Sequence, residues 1–178
     1  MEAVQERICR CALAKLRLND AAGALKDFDL IIDKYPKTKE RELSLYQKAK
    51  IVGKQGDNQQ MADTFKLLLK DYPETPERAD ANYWIGWVAY ENKDYKNAAE
   101  PLSKAREFNK EEYFERASLR IMLSYFYLEN KEAVAQEIDT YTKGGGKTQV
   151  PYEVLHWLGH SYYELAVVAS RADARLET

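Results

Sequence analysis

Three groups of residues have the types and spacing to do chemistry. His156 and His160, four apart, share one helix face, a spacing that permits joint metal ligation, and Glu164 another four on could complete a three-ligand set. A zinc-protease reading fails because Trp157 stands where the catalytic Glu belongs and no third histidine exists. The pair therefore reads as exposed histidines on a binding face, with a pH-sensitive contact as the milder alternative and no metal expected. Lys143-Gly144-Gly145-Gly146-Lys147-Thr148 has the shape of the end of a phosphate-binding loop, but that motif needs a glycine where this chain has Tyr141, and a strand before it. The three glycines read instead as a flexible connector between helices. Cys9 and Cys11 sit two apart in a predicted helix and point in different directions, which prevents a relaxed disulfide; both read as small buried apolar residues. Cysteines and histidines lie at opposite ends of the chain, so no nucleophile meets a base. Neither a catalytic residue nor a cofactor is expected.

The elements that must position these residues are helical. The chain has 178 residues, 45% hydrophobic and 31% charged, enough to bury a core. Five prolines and eight glycines are few for this length and favour helices over a sheet. A net charge of −2 argues against a surface built to grip a phosphate backbone, so nucleic acid is not expected as a partner. No apolar run approaches the roughly 20 residues needed to span a bilayer, so direct membrane insertion is not expected either. A step of 37 residues organises the sequence: it links Phe28 to Phe65, Tyr35-Pro36 to Tyr72-Pro73, Asp20 to Asp57 and Asp94, Ala12 to Ala49 and Gly86, and Ala24 to Met61 and Ala98. Each unit reads as two helices joined by a short turn. In the third, a helix over Ala79 to Glu91 is broken by Asn92-Lys93-Asp94 and followed by a second over Tyr95 to Phe108. Pro36 and Pro73 close the second helices of the first two units. Such hairpins cannot bury both faces alone and must stack on neighbours.

Small residues where paired helices touch, as in Ile85-Gly86, Ala89-Tyr90, Lys93-Asp94-Tyr95, Ala98, Leu102 and Ala105, resemble the tetratricopeptide repeat family. Leu155, Leu158-Gly159 and Tyr162-Tyr163 resemble the first helix of a further unit. The resemblance implies an all-α, right-handed solenoid of four to five hairpins in a single domain, 1–178. Its units run roughly over 3–37, 40–74, 77–110, 114–143 and 151–178, with the last incomplete. The chain ends in mid-pattern on Arg175-Leu176-Glu177-Thr178, as a piece of a longer protein would. A narrower similarity is carried by Asp71-Tyr72-Pro73-Glu74-Thr75-Pro76-Glu77-Arg78-Ala79-Asp80-Ala81-Asn82-Tyr83-Trp84-Ile85-Gly86. It is similar to bacterial envelope members of the family, of the outer-membrane assembly lipoprotein and Tol-Pal-associated types. That implies binding to other proteins, in the periplasm where an export signal precedes the chain and in the cytoplasm where none does.

In such a stack the first helices line the concave face, and one stripe of each meets a ligand. In the third unit, the side away from Ile85, Gly86 and Ala89 carries Asp80, Tyr83, Trp87 and Tyr90, with Glu91 at its margin. Tyr83, Trp87 and Tyr90 are expected to anchor a protein or peptide partner, aromatics being rich in contact area with a polar tip. The alternative is that Tyr83 and Trp87 pack against the next unit. Tyr46, Lys50 and Lys54 make the second unit's stripe basic, Arg120 is the fourth unit's polar contact, and His156, His160 and Tyr163 form the last stripe. Lys and Arg number 14 against 11 acidic residues up to Pro73, and 13 against 18 beyond it, a polarity able to orient a bound segment. The function expected is non-enzymatic recognition of an extended segment in the concave groove. The alternatives are a structural segment of a longer solenoid that makes contacts through its ends or convex face, or a His-dependent metal-binding or enzymatic role.

Overall fold

The computed structural model describes residues 3–176, with side chains described to residue 167. Among these there are nine helices and no strand: α1 (Val4–Arg17), α2 (Ala21–Lys34), α3 (Lys39–Lys54), α4 (Asn58–Asp71), α5 (Arg78–Glu91), α6 (Tyr95–Phe108), α7 (Lys110–Tyr127), α8 (Lys131–Lys143) and α9 (Tyr152–Leu176). The repeated aspartates start the second helix of the first three units, and Asn130 takes their place before α8. Asp20 accepts the Gly23 N–H at 2.8 Å and Asp57 the Gln60 N–H at 2.9 Å, satisfying donors that no helical carbonyl can reach. Asp94 holds the same place before α6, where its side chain accepts instead from the Asn97 amide.

One residue before each of these caps, the chain turns through the left-handed region. Asn19 (φ 60°), Gly56 (φ 88°), Lys93 (φ 61°) and Glu129 (φ 54°) repeat at the register of the hairpin turn. Only Gly56 adopts this conformation without a steric penalty. The second helices stop at Tyr35 and Tyr72, just before Pro36 and Pro73. After α6 there is no proline. Asn109 alone makes the break and at once caps α7 by accepting the Glu112 N–H at 3.2 Å. The drift of the 37-residue step beyond residue 110 thus has a local cause: the joint shrinks from 72–77 to the single residue 109, while α7 is longer than the helices before it.

Contacts run from each helix to its neighbours in sequence. In addition α1 touches α3 and α5 touches α7, which draws the first helices together on the inner side of the stack. The core is a row of clusters in which successive units meet. Phe28, Phe65 and Leu102, one step apart, are fully buried, each contributing about 2 kcal/mol through lost water contact. Ala12, Ala49 and Gly86 sit where paired helices cross. A Cβ on Gly86 would lie 2.7 Å from Leu102 Cγ and 2.9 Å from the Ala98 carbonyl oxygen, so α5 and α6 approach closely there. Within the second hairpin Arg41 pairs with Asp71 at 2.7 Å, and it ties that hairpin to the first by donating to the Ile32 carbonyl at 2.9 Å. Arg106 reaches the buried Glu137 and donates to Ser118 at 2.7 Å, tying α6, α7 and α8.

Two expectations are corrected. Cys9 is buried, but Cys11 is exposed, because it borders an open hollow between α1 and α2 beside Ile8, Lys15 and Leu30. The glycine connector is anchored: the Lys147 and Thr148 N–H groups donate to Glu115 at 3.2 and 2.6 Å, and the Tyr141 hydroxyl bonds the same carboxylate. No helix is long and apolar enough to cross a membrane among the described residues.

Candidate functional site

The inner side of the stack carries a connected row of polar and aromatic groups drawn from α3, α5 and α7. At its centre the Asp80 carboxylate accepts a hydrogen bond from the Tyr46 hydroxyl at 2.7 Å and another from the Tyr113 hydroxyl. One carboxylate thereby joins three consecutive units, at positions 34 and 33 residues apart. Burial first, and then the Asp80 charge, push both phenols well above the usual tyrosine range, so they stay protonated and remain donors. Lys50 lies 4.9 Å from the Tyr46 ring centre, continuing the row towards the end of α3. In the other direction Tyr83 stacks on Tyr113 at 4.7 Å. Arg116 covers both rings at 5.2 and 5.4 Å, and Arg120 spans Tyr83 and Tyr90 at 5.9 and 6.0 Å.

Tyr83 is therefore not an exposed anchor. Only 3% of its surface is accessible, because the next unit's Tyr113 and two arginines cover the ring. Trp87 and Tyr90 are half-buried: Trp87 packs edge-on against Trp84 at 5.5 Å and Tyr90 against Tyr95 at 5.6 Å. Burial raises the Tyr90 phenol above its ordinary range. Tyr46 is half-buried, and Lys50 and Lys54 are exposed at the rim. Arg120 donates to the Arg116 carbonyl at 3.3 Å, and its buried Nε has no hydrogen-bond partner among the described residues.

His156, His160 and Tyr163 are exposed on α9, and among the described residues no hydrogen bond or ring contact joins them to this row. Trp157 anchors that helix edge-on against Phe126 at 5.2 Å, and Val154 is buried beside Met122 and Val134. The two histidine rings lie 6.5 Å apart and His160 approaches Glu164 at 3.5 Å, while Tyr163 is 68% accessible. No three His, Cys, Asp or Glu side chains converge as a metal site among the described residues. Sequence reasoning missed Tyr113, Arg116 and Trp84. The signal was available for Tyr113, which stands one family period after Asp80 and two after Tyr46, but the 37-residue step places its equivalent elsewhere.

Comparison with known proteins agrees with this architecture. Two tetratricopeptide repeat family models match, one over residues 46–112 and the other over residues 11–38. No curated protein matches. Among solved structures, the chain is similar to the MamA RS-1 ArsTM double mutant, at 21% identity and a TM-score of 0.61, with 82% of this chain and 78% of that one covered. It is also similar to a Podosopora anserina kinesin light chain structure with nearly identical TPR-like repeats, at 13% identity and a TM-score of 0.53, with 98% and 92% covered. At those identities the likeness is one of fold alone, and it leaves the narrower envelope lipoprotein similarity without support from these matches. The repeated caps, the crossings at Ala12, Ala49 and Gly86 and the two matches together place the chain in the tetratricopeptide repeat family, whose helical hairpins serve as scaffolds for protein–protein interaction.

Proposed function

We propose that the chain is a non-enzymatic recognition module that holds an extended segment of another protein along the face formed by α3, α5 and α7. The observation that carries this reading is the row from Lys50 through Tyr46, Asp80, Tyr113 and Arg116 to Arg120 and Tyr90. Its groups are fixed by hydrogen bonds and ring contacts before any partner arrives. Side chains already ordered in the free protein lose little rotamer entropy on binding, which favours affinity. Tyr and Arg are the residue types that dominate binding hot spots. Lys54, Trp87 and Lys50 extend the face to one side.

The test compares partner capture by the wild type with capture by Arg116→Glu combined with Tyr90→Ala, followed by calorimetry on the purified partner. Lys104→Glu, on an exposed part of α6, is the control. The reading requires at least a ~10-fold affinity loss in the face variant and none in the control. Equal affinity in all three would sink it. A second reading rests on α9, where Tyr152, Leu155, Tyr163 and Leu165 are exposed. If a Tyr163→Ala and Leu165→Ala variant alone loses the partner, the contact lies on that terminal helix, and His156 and His160 would border it.

A further inference from the structure

Where α3, α4 and α5 meet, the row opens into a cavity of about 350 Å³. Its walls are Met61, Phe65, Trp84 and Trp87, and Lys50 and Lys54 stand at its mouth. An apolar cavity of about 150 Å³ holds a benzene-sized group, so this space has room for a large aromatic or branched side chain with its neighbouring methylenes. Its polar complement is one-sided. Lys50 contacts only the Tyr46 ring and hydroxyl, and neither Lys50 nor Lys54 forms an ion pair among the described residues. The Trp84 and Trp87 indole N–H groups likewise have no hydrogen-bond acceptor among the described residues, yet neither is fully enclosed. No carboxylate lines the cavity. The site therefore offers apolar walls and two ammonium groups, and a complementary ligand carries an apolar body flanked by anionic groups.

We infer that this cavity is the specificity pocket of the recognition face, and that it takes one large apolar side chain of a partner segment, Phe, Leu or Trp, flanked by Asp or Glu. The inference rests on the recognition reading above but fails separately from it. The apolar side chain fills the cavity walled by Met61, Phe65, Trp84 and Trp87, and the flanking carboxylates reach Lys50 and Lys54. Charge complementarity selects an acidic segment over a basic one, because a basic flank would place ammonium groups against the two unpaired lysines.

The test is an array of nine-residue peptides with every apolar residue and Ala in turn at the centre, flanked by Glu and Asp, by Gln and Asn, or by Lys. It is probed with the full chain, and the selected peptides are then measured by anisotropy. Expected are a preference of ~10-fold or more for Phe, Leu or Trp over Ala at the centre and a preference for acidic over neutral flanks. Affinity should fall severalfold between about 50 and about 300 mM salt. Lys50→Glu with Lys54→Glu, both at exposed positions, should reverse the flank preference, and Lys66→Glu on the exposed side of α4 should leave it intact. A flat array, a preference for basic flanks, or binding indifferent to the lysine reversal would overturn the assignment. So would a concentration-dependent dimer in sedimentation that Lys54→Glu dissolves, because the occupant would then be a second copy of the chain. If the array selects acidic–apolar peptides while partner capture ignores Arg116 and Tyr90, the pocket stands and the extended-face reading falls. If capture depends on Arg116 and Tyr90 but the array is flat, the reverse holds.

Discussion

Removing the Asp80 carboxylate tests whether the face is preorganised by the hydrogen bonds that cross its units. In Asp80→Ala the Tyr46 and Tyr113 hydroxyls both lose their acceptor. Tyr113 is 3% accessible, so its hydroxyl is poorly placed to recruit water and bears about 2 kcal/mol of the penalty for an unpaired buried donor. Tyr46 is half-buried and water can replace Asp80 in part, which leaves about 1 kcal/mol. The expected loss is therefore about 3 kcal/mol, and about 1 kcal/mol for Asp80→Asn, which keeps an acceptor oxygen but not the charge. With a urea slope of about 2 kcal/mol/M, the Asp80→Ala midpoint falls by about 1.5 M, read by circular dichroism and tryptophan emission together. A cycle with Tyr113→Phe separates the bond from the burial of the side chain, with an expected coupling of about 1–2 kcal/mol. A midpoint shift below about 0.3 M, or zero coupling to Tyr113, would refute the claim that this carboxylate binds three units together.

Three further outcomes follow from particular contacts. Gly86→Ala puts a methyl group against the Ala98 and Leu102 backbone; overpacking outweighs the gain in helix propensity, and urea unfolding should show a loss of about 2 kcal/mol, whereas an unchanged midpoint would mean α5 and α6 have room to spare. Hydrogen bonds from Thr148 and Tyr141, then from the Lys147 and Thr148 N–H groups, lower the Glu115 carboxyl to about 2. Because this pKa is depressed on folding, its contribution is present above the ordinary carboxylate range near 4.5 and is lost as pH falls towards 2. Hydrogen exchange at Lys147 and Thr148 should then accelerate, relative to its intrinsic rate, as the pH is lowered through that window, and Glu115→Gln should show the acceleration already at neutral pH; pH-independent protection would contradict it. Glu129→Gly relieves a left-handed residue at a cost in chain entropy and should stabilise by about 0.5 kcal/mol, raising Tm by about 1–2 °C in a thermal melt, whereas Gly56→Ala should destabilise by about 1 kcal/mol; effects of the opposite signs would deny the shared turn geometry.

The hairpins were legible in the sequence because their determinants are local. Aspartate before a helix, proline after it, and Phe28, Phe65 and Leu102 on the buried stripe each act within a few residues of where they stand, and the sequence repeats the aspartate and the stripe three times and the proline twice. The single-residue joint at Asn109 was not legible, since an asparagine that both ends one helix and starts the next leaves no separate stop signal.

The binding stripe was legible only as a set of candidates. Tyr83, Trp87 and Tyr90 share one side of α5, and helical geometry determines that much. Which of them faces solvent depends on what the next unit presents. Tyr113 and the arginines of α7 come from 30 or more residues away, and they bury Tyr83 while leaving Trp87 beside an open cavity. Exposure is a property of two packed surfaces, and a single helix's periodicity describes only one of them. The spacing of His156 and His160 on α9 is likewise intrinsic to the helix, whereas their neighbours Val154 and Trp157 are held by packing against α7 and α8. The sequence thus determined the repeated hairpin and its chemistry class, and the stacking of one unit on the next decided which side chains a partner can reach.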